Sequence, residues 1–291
     1  MPSFSNKKQL RFQITLGTSK FNEKGDNQIT LQGYRAEADI ELAGGLQMGN
    51  LRARIYGMAE SDMYSATMYP FKLPEFRQNT IIVYAVDGDS ESIVFAGNIF
   101  KAWANYSSPP DIYFEIQAQA AISSALEAVR PRSFKGGADV AEVMKTIAES
   151  MGYVFENNDV NVKLSDVYLA NTTLEQAKQL AKDAGIVLVI DGKTLAICPQ
   201  GIPRKSFVPT ISKDNGMIGY PSYDGTYMTF QTLFNPQINP LGLVKVETSF
   251  LPAAGEWAVL SIQHMLESEK PGGVWMSSVV CTDKSLVGKL Q

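Results

Sequence analysis

The sequence contains a single histidine, His264, and that scarcity removes whole classes of chemistry. One imidazole cannot build a histidine-rich metal site. A Ser-His-Asp triad would have to use this residue, yet no Gly-x-Ser-x-Gly elbow is present. His264 shares one face of an alternating run with Leu260 and Ile262, opposite Val259, which reads as a core or inter-strand histidine rather than a base. A Walker-type phosphate loop, a dinucleotide fingerprint and a zinc-protease helix are also missing. The two cysteines, Cys198 and Cys281, each end an apolar strand-like run, so buried free thiols are expected rather than a disulfide scaffold or a metal site. Such low cysteine use fits assembly in a reducing cytoplasm. No apolar run approaches the roughly 18 residues that span a bilayer. The segment 1–11 is polar and basic without an apolar stretch, so neither a signal peptide nor membrane insertion is expected. Positive charge is scarce too. The net charge is −4 and the pI about 5.2, with no Lys/Arg cluster, unlike a sequence-specific duplex-DNA binder.

What is present is a globular composition, 45% hydrophobic and 19% charged, over 291 residues. At roughly 100–200 residues per domain this length predicts two or three domains. Thirty Asp and Glu residues leave a glycosidase-type carboxylate pair arithmetically open. The acidic positions that stand out have local explanations, however: Asp139, Glu142 and Glu175 at helix starts, Asp87 and Asp191 in turns. Glu156-Asn157-Asn158-Asp159 offers oxygen ligands but lacks the alternation, glycine and closing glutamate of a calcium loop, and reads as a polar turn. Trp103, Trp257 and Trp275 fall on predicted strands without a basic groove, as core or subunit-contact residues rather than a base-stacking platform. No catalytic, cofactor-binding or metal residue is expected.

Periodicity orders the chain. Leu10, Phe12, Ile14 and Leu16 alternate with polar residues, then a turn-rich segment covers 17–28. Ala36, Ala38, Ile40 and Leu42 alternate again, as do Leu51, Ala53 and Ile55. A short helix is predicted over 60–68. Strands are predicted over 81–86 and 92–100, joined at Asp87-Gly88, and a further strand over 112–119. After Pro131 the period becomes helical. Asp139 and Glu142 open a helix carrying Val140, Val143, Met144, Ile147 and Met151, which ends at Gly152. Thr172 and Glu175 open a second, with Leu174, Ala177, Leu180, Ala181 and Ala184 on one face and Gly185 at its end. Strands over 160–164, 187–190 and 194–198 flank the helices, the last two joined at Asp191-Gly192. Residues 199–209 read as a linker. Beyond it strands return over 227–232, 243–250, 257–264 and 274–282. The fold class predicted is therefore mainly β with an α+β middle module.

Several segments resemble the hub family of contractile phage tails, whose fold recurs in the spike base of type VI secretion systems. Leu51-Arg52-Ala53-Arg54-Ile55-Tyr56-Gly57-Met58, followed by Asp62-Met63, resembles its first-barrel signature, although Tyr64 stands where an Asn is common. Val94-Phe95-Ala96-Gly97-Asn98-Ile99 resembles its Phe-x-Gly-x-Ile strand, and Met151-Gly152-Tyr153-Val154-Phe155-Glu156-Asn157-Asn158 its middle-domain pattern. Gly216-Met217-Ile218-Gly219-Tyr220-Pro221, Thr232-Leu233-Phe234-Asn235-Pro236 and Gly255-Glu256-Trp257 are similarly hub-like. So are His264-Met265-Leu266 and Pro271-Gly272-Gly273-Val274-Trp275. The order and spacing of the pieces carry the resemblance over nearly the whole chain. From the residues that remain after the second β region, neither the further domain nor the fused lysozyme of larger hubs is expected.

The resemblance implies two tail-tube-like β-barrel domains, over 1–130 and 204–291, with a small α+β domain over 131–203 between them. It implies a non-enzymatic homotrimer whose six barrels form a pseudo-sixfold ring joining a hexameric tail tube to a trimeric central spike. Implied partners are the tube or tube-initiator protein, the spike protein, and other baseplate and tape-measure proteins. DNA would pass only transiently through the channel. The implied location is the virion baseplate, assembled in the host cytoplasm. The competing expectations are a secretion-system spike base, a tail-associated peptidoglycan hydrolase, and a carbohydrate-binding β-protein.

Overall fold

A computed structural model describes residues 7–22, 25–45, 47–68, 78–107, 109–126 and 128–289. The start of the polar N-terminal segment (residues 1–6), two residues of the predicted 17–28 turn (23 and 24) and Ser108 lie outside the described residues. The chain is mainly β, and no described helix is long and apolar enough to cross a membrane. By contact it divides into two units, one of residues 1–41, 49–122 and 263–277, the other of 42–48, 123–262 and 278–291.

The elements in chain order begin with β1 (Lys8–Thr15), β2 (Gln28–Gln32), β3 (Ala36–Ala43), β4 (Asn50–Tyr56) and α1 (Glu60–Ala66). Next come β5 (Thr80–Asp87), β6 (Ser90–Asn105), β7 (Tyr113–Gln119), α2 (Ile122–Leu126), β8 (Arg132–Asp139), α3 (Val140–Ser150) and β9 (Val154–Asn157). They continue with β10 (Lys163–Leu169), α4 (Thr173–Asp183), β11 (Ile186–Asp191), β12 (Thr194–Pro199) and β13 (Thr210–Ser212). The last are β14 (Met217–Tyr223), β15 (Tyr227–Leu233), β16 (Leu243–Glu247), β17 (Gly255–Ser268) and β18 (Trp275–Thr282).

In the first unit the strands run β3-β4-β7-β6-β5-β1-β2, each antiparallel to the next. The alternation seen in the sequence is realised directly. Leu10, Phe12 and Ile14 of β1, Ala36, Ala38 and Ile40 of β3, and Leu51, Ala53 and Ile55 of β4 are all buried on the core side. Removing those side chains from water is the main force holding the sheet. The hairpin predicted at Asp87-Gly88 forms one residue later. Asp87 pairs with Ser90, and Gly88 and Asp89 make the two-residue loop. The return strand does not stop at Phe100. β6 runs to Asn105 because a register shift between Ile99 and Lys101 lets it follow β7 to the end, and such bulges bend a long strand without ending its pairing. β2 was not legible in the sequence, being short, polar and buried only at Leu31.

In the second unit both predicted helices form where the caps place them. The Asp139 carboxylate accepts from the Ala141 and Glu142 amides, and the Thr172 hydroxyl accepts from the Glu175 amide at 3.3 Å. Gly152 and Gly185 follow the last turns with φ of 74° and 61°, the left-handed geometry that stops a helix. β11 and β12 form an antiparallel pair, with β9 parallel to β12. The strand predicted over 160–164 does not exist as such. Asn157 bonds both the amide and the carbonyl of Val160, and Asp159 has φ of 64°, so this stretch is a turn and β10 begins only at Lys163. The partner of β10 is β8, which contains Gly136 and Gly137. β8 is largely exposed and shows no alternating apolar pattern, so residues 132–139 carry no strand signal in the sequence. Residues 200–209 contain no strand or helix. Beyond them β14 pairs with β15, and β13 and β17 flank β16.

Candidate functional site

The outward face of β3, β4, β7 and β6 carries the densest polar arrangement of the first unit, and strand register explains it. Glu37 stands opposite Arg54, Arg54 opposite Glu115, and Glu115 opposite Trp103. The next row is Asp39, Arg52, Gln117 and Lys101, and a third is Tyr56, Tyr113 and Asn105. Opposite charges on directly facing residues attract, so alternation in sequence becomes a ladder in space. Glu115 is only 2% exposed, with Arg52 Nε at 2.8 Å and Arg54 Nε at 3.5 Å from its two oxygens. Lys270 lies 3.1 Å from Glu37 and 2.7 Å from Glu267. The Arg35 guanidinium sits 4.3 Å from the Tyr56 ring centroid and the Lys101 ammonium 4.7 Å from that of Trp103.

Burial works against the charge of Arg54, but Glu115, Tyr113 and Glu37 outweigh it and raise its pKa. Burial likewise opposes ionisation of Glu267, yet Lys270 and the Val274 amide hold its pKa below the ordinary value. A glycosidic general acid needs the opposite shift. A shallow cavity of about 240 Å³ opens among Glu37, Asp39, Arg52, Arg54, Leu266 and Glu267. Glu37, Arg52, Arg54 and Glu267 there have charged partners, and the Asp39 carboxylate accepts from the Gln263 amide at 2.9 Å.

His264 is buried, and its Nδ1 lies 2.7 Å from Ser277 Oγ. Burial drives its pKa down to about 4, so the ring is neutral at pH 7. Ser277 is equally buried, which fits a core pair better than a nucleophile awaiting substrate. Cys198 and Cys281 are buried free thiols. Burial pushes Cys198 up to about 12 and raises Cys281 as well, so neither is a poised thiolate. The three tryptophans lie half-buried on β6, β17 and β18; Trp257 and Trp275 fall within the strands predicted, whereas Trp103 lies past Phe100, in the part of β6 that the predicted strand did not reach.

A polar centre that sequence reasoning missed lies in the second unit, at Arg204. Its side chain is 8% exposed and donates twice to Glu156, at 2.8 Å each, and once to Asp191 at 2.8 Å. A planar guanidinium suits this forked recognition. Next to it the Asn158 carbonyl oxygen accepts from the Lys205 amide at 2.7 Å, and its nitrogen donates to Glu156 and to the Ile197 carbonyl. Lys205 also pairs with Asp159 at 2.5 Å. The oxygen-rich segment 156–159, predicted as a polar turn, has its first two residues on β9 and is engaged by a guanidinium, an ammonium and backbone groups. Arg204 was hidden because a lone arginine in a Pro- and Gly-bearing stretch carries no periodic signal.

No curated protein sequence matches the chain. Among solved structures, a 43 kDa tail protein of prophage MuSo2 from Shewanella oneidensis superposes with a TM-score of 0.62 at 12% identity, covering 96% of this chain and 97% of that one. A tail protein from Neisseria meningitidis MC58 gives 0.63 at 10% identity, covering 94% and 96%. The c3393 protein of E. coli, a type VI secretion component described as similar to the T4 tail proteins gp27 and gp5, gives 0.57 at 10% identity, covering 86% and 73%. At these identities the likeness is one of fold. The sequence signature described as baseplate hub gp41 matches residues 75–272, more than half of the chain. The chain belongs to the baseplate hub gp41 family, a family of structural components of the phage tail.

Proposed function

We propose that the chain is a non-enzymatic hub subunit of a contractile phage tail. Three copies would form a pseudo-sixfold ring that joins the hexameric tail tube to the trimeric central spike and leaves a channel for DNA. In this reading residues 1–130 and 204–291 supply one tube-like barrel each, and 131–203 form the small domain between them. The observation that carries it is the family signature over 75–272, on a mainly β chain whose outward polar face is charge-compensated. In a channel lining of that kind Arg52, Arg54 and Lys270 already have carboxylate partners, which would weaken their hold on phosphate. The partners are the tube or tube-initiator protein and the spike, with other baseplate and tape-measure proteins in contact, and assembly takes place in the host cytoplasm. Mass by light scattering, for the chain alone and mixed with tube and spike proteins, tests the reading. A threefold protomer mass, alone or with the spike, is expected; a chain that stays monomeric and binds neither overturns it.

A second reading, the spike base of a type VI-like injection system, is favoured by the likeness to the E. coli type VI component. The genes adjoining this one separate the two: sheath, tube and capsid genes for a phage, secretion-membrane genes for the alternative. A tail-associated peptidoglycan hydrolase would clear purified murein, which this reading expects the chain not to do.

A further inference from the structure

A cavity of about 470 Å³ opens in the second unit, and every described residue lining it belongs to that unit. Its size lies in the range of small-molecule sites, roughly 300–1,000 Å³. The walls come from the end of α4 at Ala181, from β11 at Val187, from β17 at Leu260 and Ser261, and from β18 at Val280. The space stays open because small residues surround it. Gly44, Gly45 and Gly185 carry no side chain to fill it, and a Cβ built on Gly185 would meet nothing within 4 Å.

Packing and backbone bonds fix the frame around this opening. Val187 belongs to a buried cluster with Val189, Leu241, Ala258 and Val287. Gly288, also in the lining, packs so closely that a Cβ on it would fall 2.2 Å from the Val187 side chain. The Gly44 amide donates to the Leu260 carbonyl at 2.9 Å, and the Gly201 amide to the Val287 carbonyl at 2.8 Å. A hollow that is already formed costs little reorganisation when a ligand enters.

Charge at the cavity is of one sign. Lys182 lines it and is exposed. The Lys289 ammonium stands 4.0 Å from the place of a Cβ on Gly201, beside the lining residue Gln200. Neither lysine has a carboxylate partner among the described residues, in contrast to Arg52, Arg54, Arg204 and Lys270. No described Asp or Glu lines the cavity, and Asp183, which follows Lys182 in the chain, is outside the lining. Gln47, Gln200 and Ser261 add uncharged hydrogen-bonding groups. An anion at this rim feels the two near cations, while the distant acidic groups behind the net −4 are screened beyond a Debye length of about 8 Å. An apolar hollow below unpaired ammonium groups matches a molecule with an apolar body and one acid group.

We propose that this cavity binds a small amphipathic anion, its apolar body against Val187, Leu260 and Val280 and its acid group at Lys182 and Lys289. Such a site serves the single chain and needs no ring of copies. The probe is decanoate, well below the concentration at which it forms micelles, titrated calorimetrically into the full chain, with decanol and acetate as controls. One decanoate per chain is expected, with decanol about tenfold weaker and acetate without measurable heat. Lys182→Glu with Lys289→Glu should weaken decanoate about tenfold and leave decanol unchanged. Ser261→Trp, which fills the hollow, should abolish binding of both, with circular dichroism reporting that the variant is folded. A wild type that does not bind decanoate, equal affinity for decanol, or a folded Ser261→Trp chain that binds like wild type each overturns the site. Should the tryptophan variant not fold, the exposed lysine pair decides alone: decanoate affinity unchanged by its reversal overturns the site, and the tenfold loss supports it. A purified tube or spike protein that displaces decanoate from the wild type makes the cavity a protein contact and overturns the small-ligand assignment.

Discussion

At the scale of single residues, the strongest energetic commitments are two buried polar centres. Arg204 is held by two carboxylates in a nearly dry site, and Glu156 is kept ionised below its ordinary pKa chiefly by the Arg204 hydrogen bond. Removing the cation strands both carboxylates. Arg204→Met is therefore expected to lower stability by about 3 kcal/mol, the low end for breaking a buried pair because Glu156 keeps a third of its side chain in water. Urea unfolding measures it, and an unchanged midpoint would remove Arg204 from this role. His264 gives a pH signature. Its folded pKa, about 4, lies below the ordinary 6.5, so the unfolded chain binds the extra proton between those values. Stability falls as pH drops from about 6.5 to 4, by up to about 3 kcal/mol, then levels off with respect to this group. Unfolding free energies of wild type and His264→Gln across that range test it; parallel curves would contradict the assignment.

At the scale of elements, the family-like segment around Gly97 has a steric reason. Gly97 lies on β6, between β5 and β7, and a Cβ there would sit 2.6 Å from the Gln119 carbonyl oxygen and 2.8 Å from the Phe95 ring. Backbone of a central strand cannot yield cheaply. Gly97→Ala is expected to cost about 1–3 kcal/mol, the usual range for overpacking, read as a lower melting temperature with unchanged secondary structure; a neutral outcome would mean that β7 can shift. The elements most legible in the sequence, β1, β3, β4, α3 and α4, have one face buried and one wet, so burial imprints a period on the residues. The illegible ones, β2 and β8, are short or largely exposed. The 160–164 stretch reads as a strand by composition, but the Asn157 side chain bonds to Val160 override that preference.

At the scale of the whole molecule, a net charge of −4 and locally paired cations should leave duplex DNA unbound. The wild type is expected to pass a duplex-DNA column unretained at low salt. Glu37→Gln with Glu267→Gln, which leaves Lys270 and Arg54 less opposed, should gain retention that salt abolishes. Strong retention of the wild type would undermine the neutral-channel reading.

The sequence by itself determined the mainly β class, both capped helices, the burial of His264 and the cysteines, and the resemblance to tail hubs. These depend on local period, on capping chemistry or on short ordered motifs, all of which one dimension can carry. Only the tertiary structure decided that Glu115 faces Arg52 and Arg54, that Arg204 closes on Glu156 and Asp191, and that Lys182 and Ser261 line one cavity. Each joins residues distant in the chain through strand register or loop path, and no local pattern encodes which of many charges or apolar groups will meet.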